Sequence, residues 1–577
     1  MGDNMKKEWH ILEPNADLVK KIQLALKCGP HMSAILANRN IVSASQIPAF
    51  LNPSLSDIRS PLSLKGMKKA VKRISQALEK NEKILIFGDY DVDGITSTAI
   101  LFDFLGRAGG DASYYIPHRI KEGYGLKEMH IHDYAAPKKI DLIITVDCGV
   151  TSHDAVEAAR EKGIDVVITD HHRVESQPPD AVAVINPHQK DCQSNLTCLA
   201  GVGVAFYLLI ALRKHLREIN FWKDKPEPNL LSRCDLVALG TSADQVPMVN
   251  ESRILTRAGM GVISQGKRRG LSALMKQAKV QTKHIDSDDI LFKLAPRLNA
   301  AGRMSHARFA VELLTTADDR QAKKISRQLS DLNVERKAVE TIIFKEAKSQ
   351  VENDPSLIDN RPLVLSSPTW HEGITGIVAS RLVEKFSRPA ILISTRNGMG
   401  KGSGRSIPGF DLYQMIAECS TDLQGFGGHS MAAGLTIKKE DIQAFSTHIK
   451  EASRDFFRSE RPIPPLLIDC EISLDQITHK LIDEMESLRP FGQGNREPLF
   501  MARQVFVVSS SLVAGAHRRM TLSQNKSQSE TGKRIAAIQF NIDPAKPAPE
   551  QFQQIAFKIR WNRWNNKKIA QILIEET

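Results

Sequence analysis

The sequence lacks the features of disulfide-stabilised, exported or membrane proteins. Its seven cysteines are scattered and odd in number, and no two of them form a Cys-x-x-Cys pair. No apolar run reaches the length that crosses a membrane, and the polar first ten residues lack the apolar core of a signal peptide. These absences predict reduced thiols in a cytoplasmic protein that has no membrane partner.

The chain also lacks a strong charge of one sign, and it is too long for one hydrophobic core. At 577 residues, three or four domains are expected. Lys and Arg number 78 against 66 Asp and Glu, which gives a net charge of +12. This moderate excess favours an anionic partner once a site for one is found.

Strand and helix patterns alternate in the first half of the chain. Residues 84–87 form an apolar run that predicts a buried strand, and residues 95–105 have helical spacing. The same order recurs at 141–162, and further strands are predicted at 165–169 and 181–186. This alternation predicts a parallel, doubly wound α/β sheet, in which ligands bind beyond the carboxyl ends of the strands.

Polar side chains follow three of these predicted strands, and the clusters are Asp89, Asp91 and Asp93, then Asp147, then Asp170, His171 and His172. An Asp/Gly-rich turn explains the first cluster alone, but it does not explain why all three clusters share one rim. Crowded carboxylates repel one another, and a divalent cation removes that repulsion. Carboxylates with imidazoles and no cysteine indicate Mn²⁺ or Mg²⁺ rather than structural zinc.

A shared acid would allow this rim to hold two metal ions. Such ions lie roughly 3.5–4 Å apart, lower the pKa of a bound water and clamp phosphoryl oxygens during displacement. A further apolar run at 234–247 contains two acids, Asp235 and Asp244, either of which can complete the site. Asp244 is preferred because it follows a turn of small residues, as the acids at the strand ends do.

Three later segments also carry recognisable patterns. Glycines 201 and 203 open a predicted helix, and they suit close packing as well as phosphate binding. Residues 294–304 are predicted to form a loop with two arginines. From residue 322 the apolar residues keep helical spacing for about thirty residues, which predicts one long helix that bridges two domains.

A second α/β unit is predicted from residue 362. Its helix starts near His371, and glycine-rich segments follow at 401–406 and 425–434. Glycines let backbone N–H groups converge on an anion, and Arg405 offers a bidentate fork to a phosphate. The alternative is a pair of strained hairpins.

The last part of the chain, after a proline-rich linker at 461–465, alternates apolar and polar residues in short runs. This pattern predicts a small β barrel or sandwich. Trp561 and Trp564 lie among Arg and Lys residues, an arrangement in which tryptophans stack on bases and cations hold phosphates. The alternative is a solvated basic hairpin with one tryptophan in the core.

Taken together, these motifs resemble those of the DHH phosphoesterase superfamily. The similar segments are DYDVDG at 89–94, VDCG at 146–149, TDHH at 169–172 and GTSAD at 240–244. HEGITGIVASRL at 371–382, GSGRS at 402–406 and GGHSMAAG at 427–434 resemble the companion DHHA1 domain. LRPFGQGN at 488–495 and the β domain that follows resemble the bacterial RecJ nucleases of this superfamily.

The resemblance implies an α/β fold with two α/β domains, DHH and DHHA1, a long connecting helix and a C-terminal OB-like β barrel. The expected parts are an N-terminal segment at 1–65, the DHH domain at 66–317, the long helix at 318–355, the DHHA1 domain at 356–460 and the β domain at 461–577. A channel between the two α/β domains, along the long helix and too narrow for a duplex, is expected to select single strands.

The resemblance further implies a single-stranded-DNA-specific 5′–3′ exonuclease of DNA repair and recombination that uses two metal ions and releases 5′-mononucleotides. It also implies a monomer whose partners are a single-strand-binding protein and a helicase. Two alternatives stay open. One is a DHH phosphodiesterase of short oligonucleotides or cyclic dinucleotides, against which the terminal β domain argues. The other is a non-catalytic single-strand-binding replication factor, against which the full set of acids and histidines argues.

For the site, the resemblance implies that one metal ion is held by Asp93, Asp147, His171 and Asp244, and the other by Asp91 and the bridging Asp147. The groups expected to act in catalysis are Asp89, Asp93 and His172. The residues expected to bind substrate are Arg303, His371, Ser403, Gly404, Arg405, Ser406, Trp561 and Trp564. Related pyrophosphatases have a histidine where this chain has Phe87, which predicts that one of the two metal sites is weaker and that the enzyme is not a small-molecule pyrophosphatase.

Overall fold

The computed structural model describes residues 8–43, 45–174, 177–354, 357, 361–458, 465–525, 533–564 and 567–577. These residues form two compact units. The first contains residues 59–244 and 259–458, and the second contains residues 8–58, 245–258 and 465–577. Within the described ranges, every helix is too short or too polar to span a bilayer.

The helices of the described chain, in order, are α1 (Ala16–Leu26), α2 (Pro30–Asn38), α3 (Gln46–Leu51), α4 (Met67–Lys80), α5 (Val92–Ala108), α6 (Glu128–His130), α7 (His153–Glu161), α8 (Gly201–Glu218), α9 (Cys234–Asp244), α10 (Asn250–Ile263), α11 (Arg269–Gln277), α12 (Ala295–Met304), α13 (Arg308–Thr315), α14 (Asp319–Asn353), α15 (Glu372–Phe386), α16 (Leu412–Glu418), α17 (Ile442–Ala452), α18 (Arg454–Arg458) and α19 (His479–Ser487).

The strands are β1 (Trp9–Ile11), β2 (Lys83–Gly88), β3 (Asp111–Tyr115), β4 (Leu142–Val146), β5 (Asp165–Thr169), β6 (Ala183–Ile185), β7 (Leu363–Ser367), β8 (Ala390–Arg396), β9 (Met399–Arg405), β10 (Leu423–His429), β11 (Ala432–Lys438), β12 (Leu466–Ile468), β13 (Cys470–Glu471), β14 (Phe500–Val513), β15 (His517–Ser523), β16 (Ile535–Gln539), β17 (Gln551–Trp564) and β18 (Lys567–Glu576).

The first sheet of the first unit has the order β3-β2-β4-β5-β6, and all of its strands are parallel. The predicted α/β architecture is therefore confirmed. In the register of this sheet, Gly88 of β2 lies beside Val146 of β4, and Val146 lies beside Thr169 of β5. Because these three strands end at the same level, the polar residues that follow them leave the sheet along one rim.

Two segments differ from their predicted local structure. The apolar run at 234–244 is the helix α9, and every residue from Cys234 to Ser242 is buried, so it shows no amphipathic period. The predicted loop at 294–304 is the helix α12. Pro296 lies in its first turn, where proline is tolerated, and alanines favour the helix that follows.

The second sheet of this unit has the order β10-β11-β9-β8-β7, in which only β7 and β8 are parallel. The 35-residue helix α14 packs against α11 and α12 and also against α15. Its C-terminal half contributes Ile343, Ala347 and Val351 to a core that contains the buried Trp370. The predicted long helix that bridges two α/β domains is therefore confirmed.

In the second unit, the strands β14, β15, β16, β18 and β17 pair in that order, and β14 also pairs with β17. This closes the predicted β barrel. The N-terminal helices α1 and α2 share its core, because Ile22 and Ile35 belong to the same buried cluster as Phe500 and Phe557. Residues 8–58, which lie in the N-terminal segment expected at 1–65, belong to the same compact unit as the barrel.

Candidate metal centre and phosphate site

A tight turn after β2 brings three carboxylates together. The Asp91 side chain caps α5 and accepts hydrogen bonds from the backbone N–H groups of Asp93, at 2.9 Å, and Gly94, at 3.1 Å. A Cβ atom on Gly94 would lie 2.5 Å from the carbonyl oxygen of Asp89, so only glycine fits this close turn. The turn holds Asp89, Asp91 and Asp93 at the rim of the sheet.

The segment after β5 uses its acid to orient its two histidines. Asp170 Oδ1 accepts from the backbone N–H groups of His171 and His172 and pairs with His172 Nδ1 at 2.7 Å, while Oδ2 accepts from the Val150 N–H. Burial alone would lower the pKa of His172, but its hydrogen bond to Asp170 raises the pKa to about 9. Burial, with the charge of His172, lowers the pKa of His171 to about 3, so His171 is neutral, as a metal ligand must be.

Three acids from three other segments meet around the His171 side chain. Its Nε2 atom lies 3.1 Å from Asp147 Oδ1, 3.6 Å from Asp244 Oδ2 and 3.7 Å from Asp93 Oδ2. In three overlapping groups, ligand atoms lie within 4.8 Å of one another, and these groups are Asp93–His171–Asp244, Asp147–His171–His172 and Asp89–Asp91–Asp147. The residues predicted to hold two metal ions therefore lie close together.

The two acids of α9 have different surroundings. Asp235, in the first turn of the helix, forms a buried ion pair with Arg268, with 2.5 Å between Oδ2 and Nε. Asp244, at the other end, lies beside His171. Of the two acids that the sequence left as alternatives, only Asp244 is at the rim, although it ends a helix and does not follow a turn.

The electrostatics of the rim indicate a missing positive charge. Burial, followed by repulsion from neighbouring carboxylates, raises the pKa values of Asp89, Asp93 and Asp147 well above the usual range. Burial and the charge of Asp91 raise the pKa of Asp244 to about 7. A group of acids in this state is expected where a cation normally compensates their charge.

Unpaired atoms at the rim give an independent test of whether a metal ion fits. Among the described residues, Asp89 Oδ1, Asp147 Oδ1 and His171 Nε2 are buried and have no hydrogen-bond partner. Leaving such atoms unpaired is costly, and divalent cations bound at the overlapping groups would satisfy all three. The donors are carboxylate oxygens and a neutral imidazole, which suit Mn²⁺ or Mg²⁺.

A cluster of three arginines lies next to the acids, and we call Arg119, Arg303 and Arg405 the arginine cluster. Arg119 covers the ring of Tyr90, with its Cζ atom 4.7 Å from the ring centroid. Burial, and then the charges of Arg119 and Arg405, lower the pKa of Arg303 to about 9. Burial and the charge of Arg119 also lower the pKa of Arg405. Partly buried guanidinium groups that repel one another suit the binding of an anion such as phosphate.

Arg119 is a site residue that the sequence reasoning missed. It follows β3, a short strand with the sequence Asp-Ala-Ser-Tyr-Tyr, which has no apolar run and was not predicted. β3 is parallel to β2 and ends at the same edge. If β3 had been predicted, the rule that ligands bind beyond the carboxyl ends of strands would have singled out Arg119.

The other residues of the DHHA1 segment that were predicted to bind substrate do not all lie near the arginine cluster. His371 caps α15 by accepting from the Gly373 N–H, and Arg303 Nη1 donates to the Gly373 carbonyl at 3.1 Å, so His371 lies next to the arginine cluster. The Ser403 hydroxyl lies 3.4 Å from Arg405 Nη1. Ser406 instead is buried, and its hydroxyl donates to the Phe410 carbonyl at 2.7 Å.

The predicted backbone cradle for an anion at Gly404 is not formed. β9 is paired along its length with both β8 and β11, so its N–H groups are used in the sheet. A Cβ atom on Gly404 would lie 2.7 Å from Leu412 Cδ2, and one on Gly402 would lie 2.7 Å from Leu435 Cδ1. These glycines make room for core side chains, which is why the segment is rich in glycine.

The predicted stacking role of Trp561 is also corrected. Trp561 is only 8% exposed and belongs to the core of the second unit, where its Nε1 donates to Asp483 Oδ1 at 2.7 Å. It therefore cannot offer a free face to a base. Trp564 lies in β17, but its side chain is outside the described residues.

Comparisons with known protein families define the class. The model of the DHH family, N-terminal domain, matches residues 83–241, the DHHA1 domain matches 359–455 and the RecJ OB domain matches 468–576. The first match covers the acids at the rim except Asp244, and the second covers Ser403 and Arg405. The fold and the site are those of a DHH-type phosphoesterase with an added OB domain.

Individual relatives narrow this class of protein to one family. The single-stranded-DNA-specific exonuclease RecJ of Escherichia coli is 34% identical over 559 residues, which are 95% of this chain and 95% of the relative. RecJ of Bacillus subtilis is 35% identical over 99% of this chain and 71% of the relative. The crystal structure of Thermus thermophilus RecJ with Mn²⁺ matches at a TM-score of 0.82, with 27% identity over 99% of this chain and 79% of that one. The chain belongs to the RecJ family of single-stranded-DNA-specific exonucleases.

Proposed function

We propose that this chain is a 5′–3′ exonuclease that hydrolyses phosphodiester bonds of single-stranded DNA with Mn²⁺ or Mg²⁺ and releases 5′-mononucleotides during repair and recombination. One observation carries the proposal. The acids that could hold metal ions and the arginine cluster meet within one turn, because Tyr90, whose ring Arg119 covers, lies between Asp89 and Asp91. An anion site fixed beside a hydrolytic centre suits an enzyme that holds a terminal phosphate and cuts a set distance away.

In this proposal one metal ion is held by Asp93, Asp147, His171 and Asp244, and the other by Asp89, Asp91 and Asp147. When bound, the metal ions supply a deprotonated water and charge stabilisation at the phosphoryl oxygens. Phe87 is buried and stacks on Tyr115 with 5.7 Å between ring centroids, so it adds no ligand to the second set. We therefore propose that the second set of ligands binds its metal ion more weakly than the first. The second ion would bind together with the substrate.

The remaining groups bind and orient the substrate. The arginine cluster holds the terminal phosphate, with His371 and Ser403 beside it, and its positive charge is relieved when the anion arrives. His172 is held through Nδ1 by Asp170, so its Nε2 is the ring nitrogen left for a substrate oxygen. Tyr124 supports this arrangement, because its hydroxyl donates to the Asp147 carbonyl at 3.1 Å and lies 3.2 Å from His172 Nδ1.

The wider organisation of the enzyme is part of the same proposal. The DHH domain at 66–317 and the DHHA1 domain at 356–460 would form a channel for one strand along the helix at 318–355. The domain at 461–577 would add a further contact with the strand. Since an enzyme specific for single strands needs the duplex opened first, we propose a helicase and a single-strand-binding protein as partners of a monomeric, cytoplasmic enzyme.

Digestion of a long strand labelled at either its 5′ or its 3′ end tests the proposal. With Mn²⁺ or Mg²⁺, the 5′ label should appear at once as a mononucleotide, while the 3′ label stays in a shortening strand. No product should form without metal. Release of the 3′ label first would contradict the direction. Faster turnover of a dinucleotide than of the long strand would favour the alternative, a phosphodiesterase of short oligonucleotides.

A surface on the barrel replaces Trp561 as the proposed contact with bases. Arg518 is buried, so its neighbours His517 and Arg519 face the opposite side of β15, where solvent lies. Phe540 is 48% exposed, and its ring packs on His517 with 5.0 Å between centroids. An exposed aromatic ring beside a cation is the pairing that single-strand binders use.

Replacing Phe540 with alanine should weaken binding of a long single strand by about 1–3 kcal/mol, because one stacked base is lost. Cleavage of the shortest substrates should not change. Leu512→Ala is the matched control, since Leu512 is 53% exposed but lies opposite Arg518 and so on the other face of the strand pair. Equal binding by wild type and Phe540→Ala, measured by fluorescence anisotropy, would remove this surface from the proposal.

A further inference from the structure

The two glycines of the segment at 201–203 were consistent with close packing or with phosphate binding. In the structure, the backbone N–H groups of this segment bind a carboxylate of the same chain. Helix α8 begins at Gly201, and its first two N–H groups point at Asp93. The Gly201 N–H donates to Asp93 Oδ2 at 2.6 Å, and the Val202 N–H donates to Asp93 Oδ1 at 2.9 Å. The positive end of the helix therefore faces one of the acids of the metal centre.

The same turn also makes room for a second acid. A Cβ atom on Gly201 would lie 2.7 Å from both Cβ and Oδ1 of Asp147, closer than side chains approach one another. On α9, a Cβ atom on Gly240 would lie 2.9 Å from Asp93 Oδ1. Two helices thus close on two neighbouring acids only because each helix has glycine at the point of contact.

We propose that the first turn of α8 is an internal clamp that fixes the orientation of Asp93 and its separation from Asp147, so that Gly201 and Val202 position metal ligands. Each carboxylate oxygen can accept two hydrogen bonds or ligand contacts, and the clamp uses one on each oxygen of Asp93. One acceptor position therefore remains on each oxygen, and Oδ2 lies 3.7 Å from His171 Nε2. The clamp selects the rotamer of Asp93 before any metal arrives.

This inference rests on the proposed metal centre and deepens it. The clamp residues touch neither substrate nor metal, so they are positioning residues. Partners that orient metal ligands in this way typically change metal affinity by roughly 10–100-fold when they are altered. The effect should therefore be visible in metal binding by the protein without DNA.

The test is titration of the full-length, metal-free protein with Mn²⁺, with free Mn²⁺ measured by electron paramagnetic resonance. Gly201→Ala should weaken binding by roughly tenfold or more, because its Cβ displaces Asp147. Gly203→Ala is the matched control on the same helix, since the atoms nearest to its Cβ belong to the Leu199 side chain, the first at 3.1 Å, and not to an acid of the metal centre. It should bind Mn²⁺ as the wild type does.

A second variant covers the case in which Gly201→Ala does not fold. Val202→Pro deletes one of the two donors to Asp93, and proline is tolerated in the first turn of a helix, the more so after a glycine. It too should weaken Mn²⁺ binding. Wild-type affinity in a folded Gly201→Ala or Val202→Pro protein, or equal loss in Gly203→Ala, would overturn the clamp. Absence of Mn²⁺ binding by the wild type would instead overturn the proposed metal centre.

Discussion

Replacing Asp147 with asparagine is expected to reduce hydrolysis of single-stranded DNA by roughly 10³-fold or more. Asp147 belongs to two of the three groups that could hold a metal ion, so both proposed ions depend on it. Its backbone φ is 61°, in the left-handed region that asparagine also tolerates, and the two side chains have nearly the same shape. The variant should therefore fold, bind DNA almost normally and lose only the charge that the metal ions need.

The measurement compares kcat for a labelled single strand and Kd for the same strand, in the presence of Mn²⁺. Asp235→Asn is the control, because Asp235 is a buried acid of the same unit that pairs with Arg268 away from the rim. Breaking this partly buried pair should lower the free energy of unfolding, because the Arg268 charge loses its partner. The protein that remains folded should keep its metal-dependent activity. An active Asp147→Asn enzyme would contradict the assignment of a shared acid.

Replacing Arg405 with alanine is expected to lower kcat/KM by roughly 10²-fold or more, because a charged partner of the terminal phosphate is lost. The free energy of unfolding of the DNA-free protein should not decrease. It should increase if the relief of repulsion among the arginines outweighs the packing that the Arg405 side chain loses. The reason is that Arg405 adds positive charge beside Arg303, whose pKa is already lowered by burial and by its neighbours. Loss of activity without loss of stability is the signature of a binding group.

Two substrates that differ only at the 5′ end give the sharpest form of this experiment. The wild type should prefer a 5′-phosphate over a 5′-hydroxyl, and Arg405→Ala should lose that preference. Arg381→Ala is the matched control, because Arg381 pairs with Glu340 at 3.0 Å and covers the Phe344 ring, outside the arginine cluster. A variant that keeps the preference for 5′-phosphate would show that the arginine cluster binds something else.

Much of the metal centre was predictable because it follows from strand order. Hydrophobic runs marked β2, β4 and β5, and parallel strands in register end along one rim, so Asp89, Asp147 and His171 had to be neighbours. The long helix α14 was predictable for a similar reason, because its apolar spacing is sustained over about thirty residues.

Other parts depend on contacts that local patterns do not encode. A helix buried all round, such as α9, has no polar face to set its period, so the sequence did not distinguish it from a strand. Trp561 is in the core because Asp483, 78 residues earlier in the chain, accepts its N–H group. Glycines were the most ambiguous residues. Those of β9 and α8 matched the pattern of an anion cradle, but they serve close packing and the orientation of Asp93.

The central claim is that acids and imidazoles from separate segments hold metal ions at the rim of the first sheet. Anomalous diffraction from crystals of the protein soaked in Mn²⁺ tests it most directly. The account predicts a strong peak among Asp93, Asp147, His171 and Asp244, and a second peak, weaker without substrate, beside Asp89 and Asp91. A crystal that binds Mn²⁺ elsewhere, with no peak among these residues, would contradict it.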